Sequence, residues 1–386
     1  MSTSSGSDGP PPAVTPQALQ DLLDSGEAFT VLDVRDRDEF EAWHVDGPAV
    51  TARQVPHVKF VQAEATGSVD GLVDEDAPEP LVVVCGQGEA SAHAAALLAD
   101  AGYDARNLAG GMDAWARLLL DNEIADVTGT VVQYDRPSSG CLSYLVRSGD
   151  EAAVIDPLRA FAGRYVADAA DRGASIEYAI DTHVHADHVS GVRAVAAATD
   201  AEPVLPERAG ARGLTYDARK IADGESLPLG DDELTAVATP GHTTEMTTIE
   251  FDGVLFTGDS LFLGGVARPD LEAGDEGARD LGADLYRSIH DHLLPYPDST
   301  VVAPAHYDEL TGRAADGTYT ARLGELRAGL EVLGLSERRF VDYVASDLPP
   351  RPNNFERIVA TNLGREDLDD ATAFEVELGP NNCAVR

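Results

Sequence analysis

The chain has 386 residues, of which 68 are Asp or Glu and 28 are Lys or Arg, and its formal net charge is −40. A chain of this length is expected to form about two domains. The negative charge argues against nucleic acid as a partner, because phosphate contacts require a basic surface. No apolar stretch approaches the roughly 18 residues of a membrane-spanning helix, so we expect no membrane segment.

The acidic residues are spread along the whole chain, and Lys59 and Lys220 are the only lysines. This composition indicates adaptation of a halophilic protein to a high-salt cytoplasm, where screening weakens the repulsion between like charges. The alternative, a functional acidic patch, would require a clustering of acidic residues that the sequence lacks.

Residues 1–12 are rich in Ser, Gly and Pro and contain neither a basic region nor an apolar core. We therefore predict a disordered start, no secretion or transit signal, and a cytoplasmic protein. Cys85, Cys141 and Cys383 are too far apart in sequence for a zinc-ligand spacing or an evident disulfide framework. Cys141 is interpreted as a small core residue and Cys383 as an incidental thiol of the tail.

Residues 13–120 are predicted to form a parallel α/β domain, because apolar strands alternate with helices. Strands are expected at 29–34 and 81–84, and an alanine-rich helix at 91–101. Cys85 follows the second strand and faces the start of the helix, where backbone N–H groups and the helix dipole favour a thiolate. Such a thiol is suited to carry a sulfane sulfur as a persulfide.

This first half resembles the rhodanese family in Leu32-Asp33-Val34-Arg35, in the loop after Cys85 and in residues 108–115. The resemblance implies a sulfurtransferase domain in which Cys85 carries the sulfur. Gly86 and Ala90 depart from the family, since they stand where rhodanese loops usually have arginines for an anionic substrate. An inert structural or docking domain is therefore the alternative.

Residues 121–127 are polar and acidic and are predicted to be a linker, and residues 128–386 to be the second domain. The order of strands and helices there suits two sheets sandwiched between helices. Directly after the apolar run 178–181 comes a segment with three histidines and an aspartate: His183, His185, Asp187 and His188. Imidazole and carboxylate ligands together favour Zn, Fe, Mn or Ni over Ca or Mg.

Three further candidate ligands each follow an apolar strand: His242, Asp259 and His306. Because side chains at strand ends can converge at one edge of a sheet, we expect all seven positions to face a common metal site.

The seven-position pattern resembles the metallo-β-lactamase fold, which is an αββα sandwich. A closer resemblance, to the persulfide dioxygenases, covers nearly all of residues 128–364 and rests on the segments 139–145, 154–157, 182–188, 256–262, 267–271 and 348–354. It implies one Fe(II) per chain held by His183, His242 and Asp259, with the other four positions around the ion. Two histidines and one carboxylate also form the facial triad of non-haem iron oxygenases.

The resemblance further implies that a low-molecular-weight thiol persulfide, such as glutathione persulfide, reacts with O₂ to give sulfite and the free thiol in sulfide detoxification. Cys85 would supply or receive sulfur by transfer. Arg268 and Asp270 would either orient the thiol carrier or lock their own loop, since an arginine fork serves both purposes.

Two other functions stay open. A dizinc thioester hydrolase resembling glyoxalase II would use all seven positions, so zinc is the alternative metal. A non-enzymatic sulfur-relay or sensor protein would pass sulfur from Cys85 to a partner and hold its metal for structure alone. The sequence does not identify the thiol carrier, and a homo-oligomer is compatible with it.

Overall fold

A computed structural model describes residues 12–307, 311–346 and 348–385. The chain divides into two compact units, Met1–Leu118 and Leu119–Arg386. Most of the segment predicted to be disordered, residues 1–11, lies outside the described residues. Within the described ranges, every helix is too short or too polar to cross a membrane.

The first unit contains five strands and five α-helices in its described residues. In chain order they are β1 (Ala13–Val14), α1 (Pro16–Ser25), β2 (Phe29–Asp33), α2 (Arg37–Ala42), β3 (Val50–Gln54), α3 (His57–Thr66), β4 (Leu81–Val84), α4 (Glu89–Asp100), β5 (Ala105–Leu108) and α5 (Gly111–Ala116). All strand pairs are parallel, in the order β1-β5-β4-β2-β3.

The central strands β2 and β4 of the first unit are buried along their whole length. Parallel strands covered by helices on both faces have such continuous apolar sequences. One core cluster joins Val83 to Ala94 of α4, and another joins Val82 to Trp115 of α5. The predicted parallel α/β domain is confirmed, although α4 begins at Glu89, two residues before the expected start.

The second unit begins with a mixed seven-stranded sheet. Its elements are β6 (Leu120–Glu123), β7 (Thr130–Arg136), β8 (Cys141–Ser148), β9 (Glu151–Ile155), α6 (Ala162–Asp171), β10 (Ser175–Ile180), α7 (Val192–Ala198), β11 (Glu202–Pro206) and β12 (Arg219–Ile221). The strand order is β12-β11-β10-β9-β8-β7-β6, parallel from β12 to β9 and antiparallel from β9 to β6.

A second sheet and the C-terminal helices complete this unit. They are β13 (Ser226–Leu229), β14 (Asp232–Ala238), β15 (Thr247–Phe251), β16 (Val254–Gly258), β17 (Val266–Ala267), α8 (Gly274–Arg287), a π-helix (Ser288–Leu293), β18 (Val301–Pro304), β19 (Ala321–Arg322), α9 (Leu323–Gly329), α10 (Glu337–Val344), α11 (Phe355–Asn362), α12 (Asp370–Val376) and β20 (Ala384–Val385). The sheet order is β13-β14-β15-β16-β18-β19, and β17 pairs separately with β20.

The two sheets of the second unit pack face to face through a shared core, in which Val131 and Ile155 of one sheet join Ile249 and Phe256 of the other. The outer face of the first sheet packs on α6 and α7, and that of the second packs on α8 and α10. Helices therefore cover both outer faces of the sheet pair. The predicted αββα sandwich is confirmed.

The predicted linker at 121–127 is wrong in its first part, because Leu120–Glu123 is the strand β6. It pairs antiparallel with β7, from Leu120 opposite Asp135 to Glu123 opposite Val132. This is an edge strand, and its side chains alternate between half-buried and exposed. Polar side chains on such a strand do not prevent backbone pairing. Composition alone therefore predicted a linker where the structure has an edge strand.

Candidate metal centre

Four strand ends deliver the candidate ligands. The segment 181–191 follows β10, His242 follows β14, Asp259 follows β16 directly, and His306 follows β18. All seven candidate side chains are buried. Three of the seven converge in one group, since His183, His242 and Asp259 each offer one ligand atom within 4.8 Å of the others.

The three convergent atoms are His183 Nε2, His242 Nε2 and Asp259 Oδ2. Asp259 Oδ2 lies 3.7 Å from His183 Nε2 and 3.5 Å from His242 Nε2. None of the three has a hydrogen-bond partner, and all three side chains are 0% exposed. Leaving a buried polar atom unpaired costs free energy, so the arrangement fits a bound cation that would use all three as ligands.

Hydrogen bonds on the opposite ring nitrogens orient both histidines. Nδ1 of His242 lies 2.8 Å from the carbonyl oxygen of Arg268, so this nitrogen donates and Nε2 keeps its lone pair. Nδ1 of His183 lies 3.0 Å from Thr182 Oγ1, whose hydroxyl donates to Asp156. Burial, and then the neighbouring His185, lowers the pKa of His183 well below its usual value, so the ring is neutral.

The third convergent atom belongs to Asp259, which follows a glycine with a left-handed backbone. Gly258 has φ +49°, and a Cβ at this position would clash with the side chains of Met246 and Thr182. Burial raises the pKa of Asp259, but His306, with Nδ1 2.7 Å from Asp259 Oδ1, more than offsets this and holds the pKa well below its ordinary range. Asp259 is therefore an ionised carboxylate whose Oδ2 remains available.

A second buried group contains Cys141, Asp187, His188 and His306. Its members bond to one another: Asp187 Oδ2 lies 2.7 Å from His306 Nε2, 3.2 Å from His188 Nδ1 and 3.2 Å from Cys141 Sγ. Burial lowers the pKa of His306, but the carboxylates on its two nitrogens outweigh burial and raise the pKa well above its usual value. In this arrangement His306 links Asp187 to Asp259 as an imidazolium.

The second histidine of the segment, His185, bonds to carboxylates outside the three-atom group. Its Nε2 lies 3.1 Å from Asp156 Oδ1 and 3.8 Å from Asp181 Oδ1. Its Nδ1 has no hydrogen-bond partner. Asp187, His188 and His306 form the second buried group and His185 bonds to Asp156, while the prediction that these four residues surround the ion without binding it stays a prediction.

Arg268 and Asp270 form a buried fork. Arg268 Nε lies 2.7 Å from Asp270 Oδ1 and Arg268 Nη2 lies 3.0 Å from Asp270 Oδ2, while Nη1 donates to the carbonyl oxygens of Pro350 and Asn382. The two residues are 1% and 2% exposed. Of the two predicted roles, this geometry favours locking the loop, since the donors of Arg268 face protein acceptors and not a substrate.

Two cysteines border the site. Cys141 is buried as predicted, and it also contacts Asp187. The interpretation of Cys383 as an incidental tail thiol is wrong, because this residue is 0% exposed and forms a group with Asp259 and His306. Pairing of β20 with β17 brings the tail back to the site, and Arg268 N donates to Cys383 O across 3.0 Å.

Sequence reasoning gave no metal-site role to Asp156 and Glu245, which hold the backbone of the ligand segment. Asp156 Oδ1 accepts from Thr182 N at 2.7 Å, and Glu245 Oε1 accepts from Val184 N at 2.9 Å. Arg212 Nη1 lies 2.7 Å from the same oxygen of Glu245. Asp156 stands in one of the segments of the family resemblance, and Glu245 lies three residues after His242, so proximity in sequence was an available signal.

In the first unit, the sulfur of Cys85 lies in a cradle of donors at the start of α4. Sγ accepts hydrogen bonds from Gly88 N at 3.1 Å, from Ser91 Oγ at 3.1 Å and from Ser91 N at 3.4 Å. Gly111, with φ +61°, packs against this loop so closely that a Cβ there would clash with the Cys85 carbonyl oxygen. The predicted position of Cys85, between a strand end and a helix start, is the position observed.

Comparisons with known proteins match both units. The model of the metallo-beta-lactamase superfamily matches residues 137–306, and that of the rhodanese-like domain matches residues 15–118. A hydroxyacylglutathione hydrolase of Maricaulis maris is 33% identical over 186 residues, which span 45% of this chain and 67% of that protein. The chain belongs to the metallo-β-lactamase superfamily. Its metallo-β-lactamase domain follows a rhodanese-like domain.

Relatives of the metallo-β-lactamase domain include persulfide dioxygenases. The mitochondrial persulfide dioxygenase ETHE1 of Bos taurus is 29% identical over 237 residues, which cover 60% of this chain and 86% of that protein. The crystal structure of ETHE1 from Myxococcus xanthus has a TM-score of 0.53 at 24% identity and covers 64% of this chain and 100% of that chain, which supports the fold. The seven ligand-type residues of the metallo-β-lactamase domain belong to a fold that binds metal.

Proposed function

We propose that the metallo-β-lactamase domain is a persulfide dioxygenase with one Fe(II) held by His183, His242 and Asp259. The observation that carries the proposal is the convergence of three buried, unpartnered atoms from two imidazoles and one carboxylate. Two histidines and one carboxylate are the ligand set of non-haem iron oxygenases, and they leave positions open for substrate. The similarity to persulfide dioxygenases over 86% of their length supports the same reaction class.

The proposed reaction is RSSH + O₂ + H₂O → RSH + SO₃²⁻ + 2 H⁺, where RSSH is a thiol-bound persulfide such as glutathione persulfide. The sulfane sulfur loses four electrons to O₂, and the thiol sulfur keeps its oxidation state. Bound iron would supply O₂ activation and a coordination position for the sulfane sulfur.

The chain's own residues contribute position and charge. Arg268 O and Thr182 Oγ1 fix the two histidine rings with Nε2 toward the centre, and His306 holds Asp259 from the side opposite its free oxygen. Because the side chains of His183, His242 and Asp259 are buried, charges at this centre interact more strongly than they would in water. These contacts orient the ligands before any substrate binds.

For the rhodanese-like domain we propose sulfur transfer at Cys85. The Cys85 thiolate would attack the sulfane sulfur of a donor persulfide, forming the Cys85 persulfide and releasing the donor thiolate. The two N–H groups and one hydroxyl that point at Sγ are suited to stabilise the negative charge in both states. The Cys85 persulfide would then be passed to an acceptor thiol, which regenerates the Cys85 thiolate.

The test of the dioxygenase is O₂ consumption by iron-loaded protein with glutathione persulfide, with sulfite measured as the product. We expect multiple turnovers in the wild type and none in His242→Ala, whereas His292→Ala, at an exposed histidine of the π-helix, keeps full activity. Iron-loaded wild type without O₂ uptake would overturn the proposal.

A second candidate is a dizinc thioester hydrolase. It is favoured by the hydroxyacylglutathione hydrolases among the relatives and by three more unpartnered buried atoms, His185 Nδ1, Asp187 Oδ1 and His188 Nε2. The bonds of both ring nitrogens of His306 to carboxylates argue for the single ion, because they leave this ring no nitrogen for a second one. Two zinc ions per chain and thioester turnover without O₂ uptake would establish the hydrolase instead.

A further inference from the structure

The segment that carries four candidate ligands has a buried backbone without regular secondary structure. Residues 181–189 are buried, and no helix or strand is assigned between Ile180 and Val192. Backbone N–H and C=O groups in such a segment require partners from elsewhere in the chain, since an unpaired buried group is destabilising. Two of these partners come from the C-terminal helices, which lie outside the residues 137–306 matched to the superfamily.

The first partner is Asn362, the last residue of α11, which is 3% exposed. Its Nδ2 donates to two carbonyl oxygens, that of His185 at 3.0 Å and that of His188 at 2.9 Å. Its Oδ1 accepts from Ser190 N at 2.9 Å. The side-chain amide of Asn362 therefore forms three hydrogen bonds with the backbone of the ligand segment, two as donor and one as acceptor.

The second partner is Glu377, directly after α12, which is also 3% exposed. Its Oε2 accepts from Val189 N at 3.0 Å, and its Oε1 lies 2.7 Å from Arg136 Nη1. The guanidinium of Arg136 lies over the rings of Phe161 and Phe374, which fixes the pair in place.

Apolar contacts reinforce these polar bonds. The side chain of Val189 is 1% exposed and packs in a cluster with four residues of the C-terminal region, Ile358, Leu368, Ala373 and Val376. The segment between His185 and Ser190 is therefore held by the C-terminal region through both backbone bonds and burial.

A chain of contacts links this anchoring to the three-atom group. Asp187 lies between the anchored residues His185 and His188, and its Oδ2 is 2.7 Å from His306 Nε2. Nδ1 of His306 is in turn 2.7 Å from Asp259 Oδ1. A shift of the segment would move Asp187, then His306, and then the carboxylate that supplies one of the three ligand atoms.

We infer that Asn362 and Glu377, together named the C-terminal clamp, are positioning residues for the metal centre. The inference rests on the metal centre of the proposed function but not on which reaction occurs there. Residues behind a ligand typically change metal affinity by about 10–100-fold when removed, so the clamp is expected to act on metal retention.

The test uses Asn362→Asp in the full chain. This variant keeps the size of the side chain, removes both N–H donors and places a carboxylate against two carbonyl oxygens. Asn362→Ala, which removes the same bonds without adding a charge, is measured beside it. The readouts are the dissociation constant for Fe(II), by chelator competition, and the visible absorption spectrum of the Co(II)-loaded protein.

We expect both variants to bind Fe(II) about 10–100-fold more weakly than wild type and to change the Co(II) spectrum. The control is Leu227→Ala in β13, a fully buried side chain whose core cluster includes none of residues 181–189. This control variant should lower the melting temperature about as much as the Asn362 variants do. It should leave the Fe(II) affinity and the Co(II) spectrum unchanged.

Wild-type affinity in both Asn362 variants, or an equal loss of affinity in Leu227→Ala, would overturn the clamp. Its failure differs from failure of the proposed function. A wild type that binds Fe(II) but consumes no O₂ would refute the dioxygenase, while the affinity measurements would still decide on the clamp.

Discussion

Nε2 of His185 lies 3.1 Å from Oδ1 of Asp156, whereas Nε2 of His183 belongs to the three-atom group. Its neighbour two residues earlier, His183, has a free Nε2 that points at Asp259. Both rings are fully buried. The two imidazoles differ in which ring nitrogen is bonded, Nδ1 in His183 and Nε2 in His185. We infer that His183 is the ligand because its free Nε2 converges with atoms of His242 and Asp259.

The first prediction compares His183→Gln with His185→Gln. We expect His183→Gln to lose bound iron, because one of three convergent atoms is removed, and His185→Gln to keep one iron per chain. Loss of the bond to Asp156 should lower the unfolding free energy of His185→Gln by about 1–3 kcal/mol. Metal analysis of purified, iron-reconstituted protein measures the difference.

Wild-type protein and His292→Ala serve as controls for iron loading. Equal iron loss in the His183 and His185 variants would assign His185 to the ligands and contradict the single-ion arrangement. Two metal ions per wild-type chain would contradict it as well.

The second prediction concerns metal and stability. Removal of the metal should lower the unfolding free energy, because three buried atoms are left without a partner. Addition of Fe(II) or Co(II) to the metal-free chain at about 100 times its dissociation constant should restore about 2.7 kcal/mol. Urea unfolding under anaerobic conditions, with and without metal, measures this stabilisation.

The matched control for that experiment is His242→Ala, which should show no stabilisation by metal at the same concentration. Equal stabilisation of the variant would place the bound metal elsewhere in the chain.

The third prediction tests the buried fork of Arg268 and Asp270. Arg268→Gln should lower the unfolding free energy by about 3 kcal/mol, because it leaves the buried carboxylate of Asp270 with Arg351 as its remaining arginine partner. Arg279→Gln is the control, since its ion pair with Asp342 is exposed at both ends and should cost less than about 1 kcal/mol. Chemical unfolding of the three proteins gives the comparison.

If Arg268 instead binds the thiol carrier, Arg268→Gln would keep wild-type stability and raise KM for the persulfide. That outcome would restore the substrate-binding interpretation, which the buried geometry does not favour.

The fourth prediction concerns sulfur loading in the rhodanese-like domain. Cys85→Ser should abolish loading from a persulfide donor, whereas Cys383→Ser should leave the loading of Cys85 intact because it changes the other unit. Ser91→Ala should slow loading by removing one of the three donors at the sulfur. Mass spectrometry of the protein after reaction, before and after cyanide treatment, detects the added sulfur.

Unchanged loading in Cys85→Ser would reject sulfur transfer at this position and favour the inert-domain alternative. Loading by thiosulfate as well as by glutathione persulfide would show that arginines at the positions of Gly86 and Ala90 are dispensable for an anionic donor.

Local sequence was sufficient for the parts of the molecule that depend on neighbouring residues. The strand at 81–84 and the thiol that follows it were predictable because a short apolar run, a glycine loop and an alanine-rich helix lie in succession. The ligand types of the metal centre were predictable for a similar reason, since each histidine or aspartate follows an apolar strand. The polar strand β6 was not predictable in this way, because its pairing with β7 does not depend on its side chains.

The sequence by itself determined the fold class, the seven ligand-type residues and the position of Cys85 between a strand end and a helix start, because these depend on periodicity, on residue chemistry and on family motifs. Only the tertiary structure decided how those residues differ from one another. In the folded chain His185 bonds to Asp156, and the side chain of Arg268 is buried against Asp270. Cys383 lies beside Asp259 and His306, and Asn362 bonds to the backbone of the ligand segment. The bond between Asn362 and His185 joins residues 177 positions apart, and no local pattern predicts a contact over such a distance.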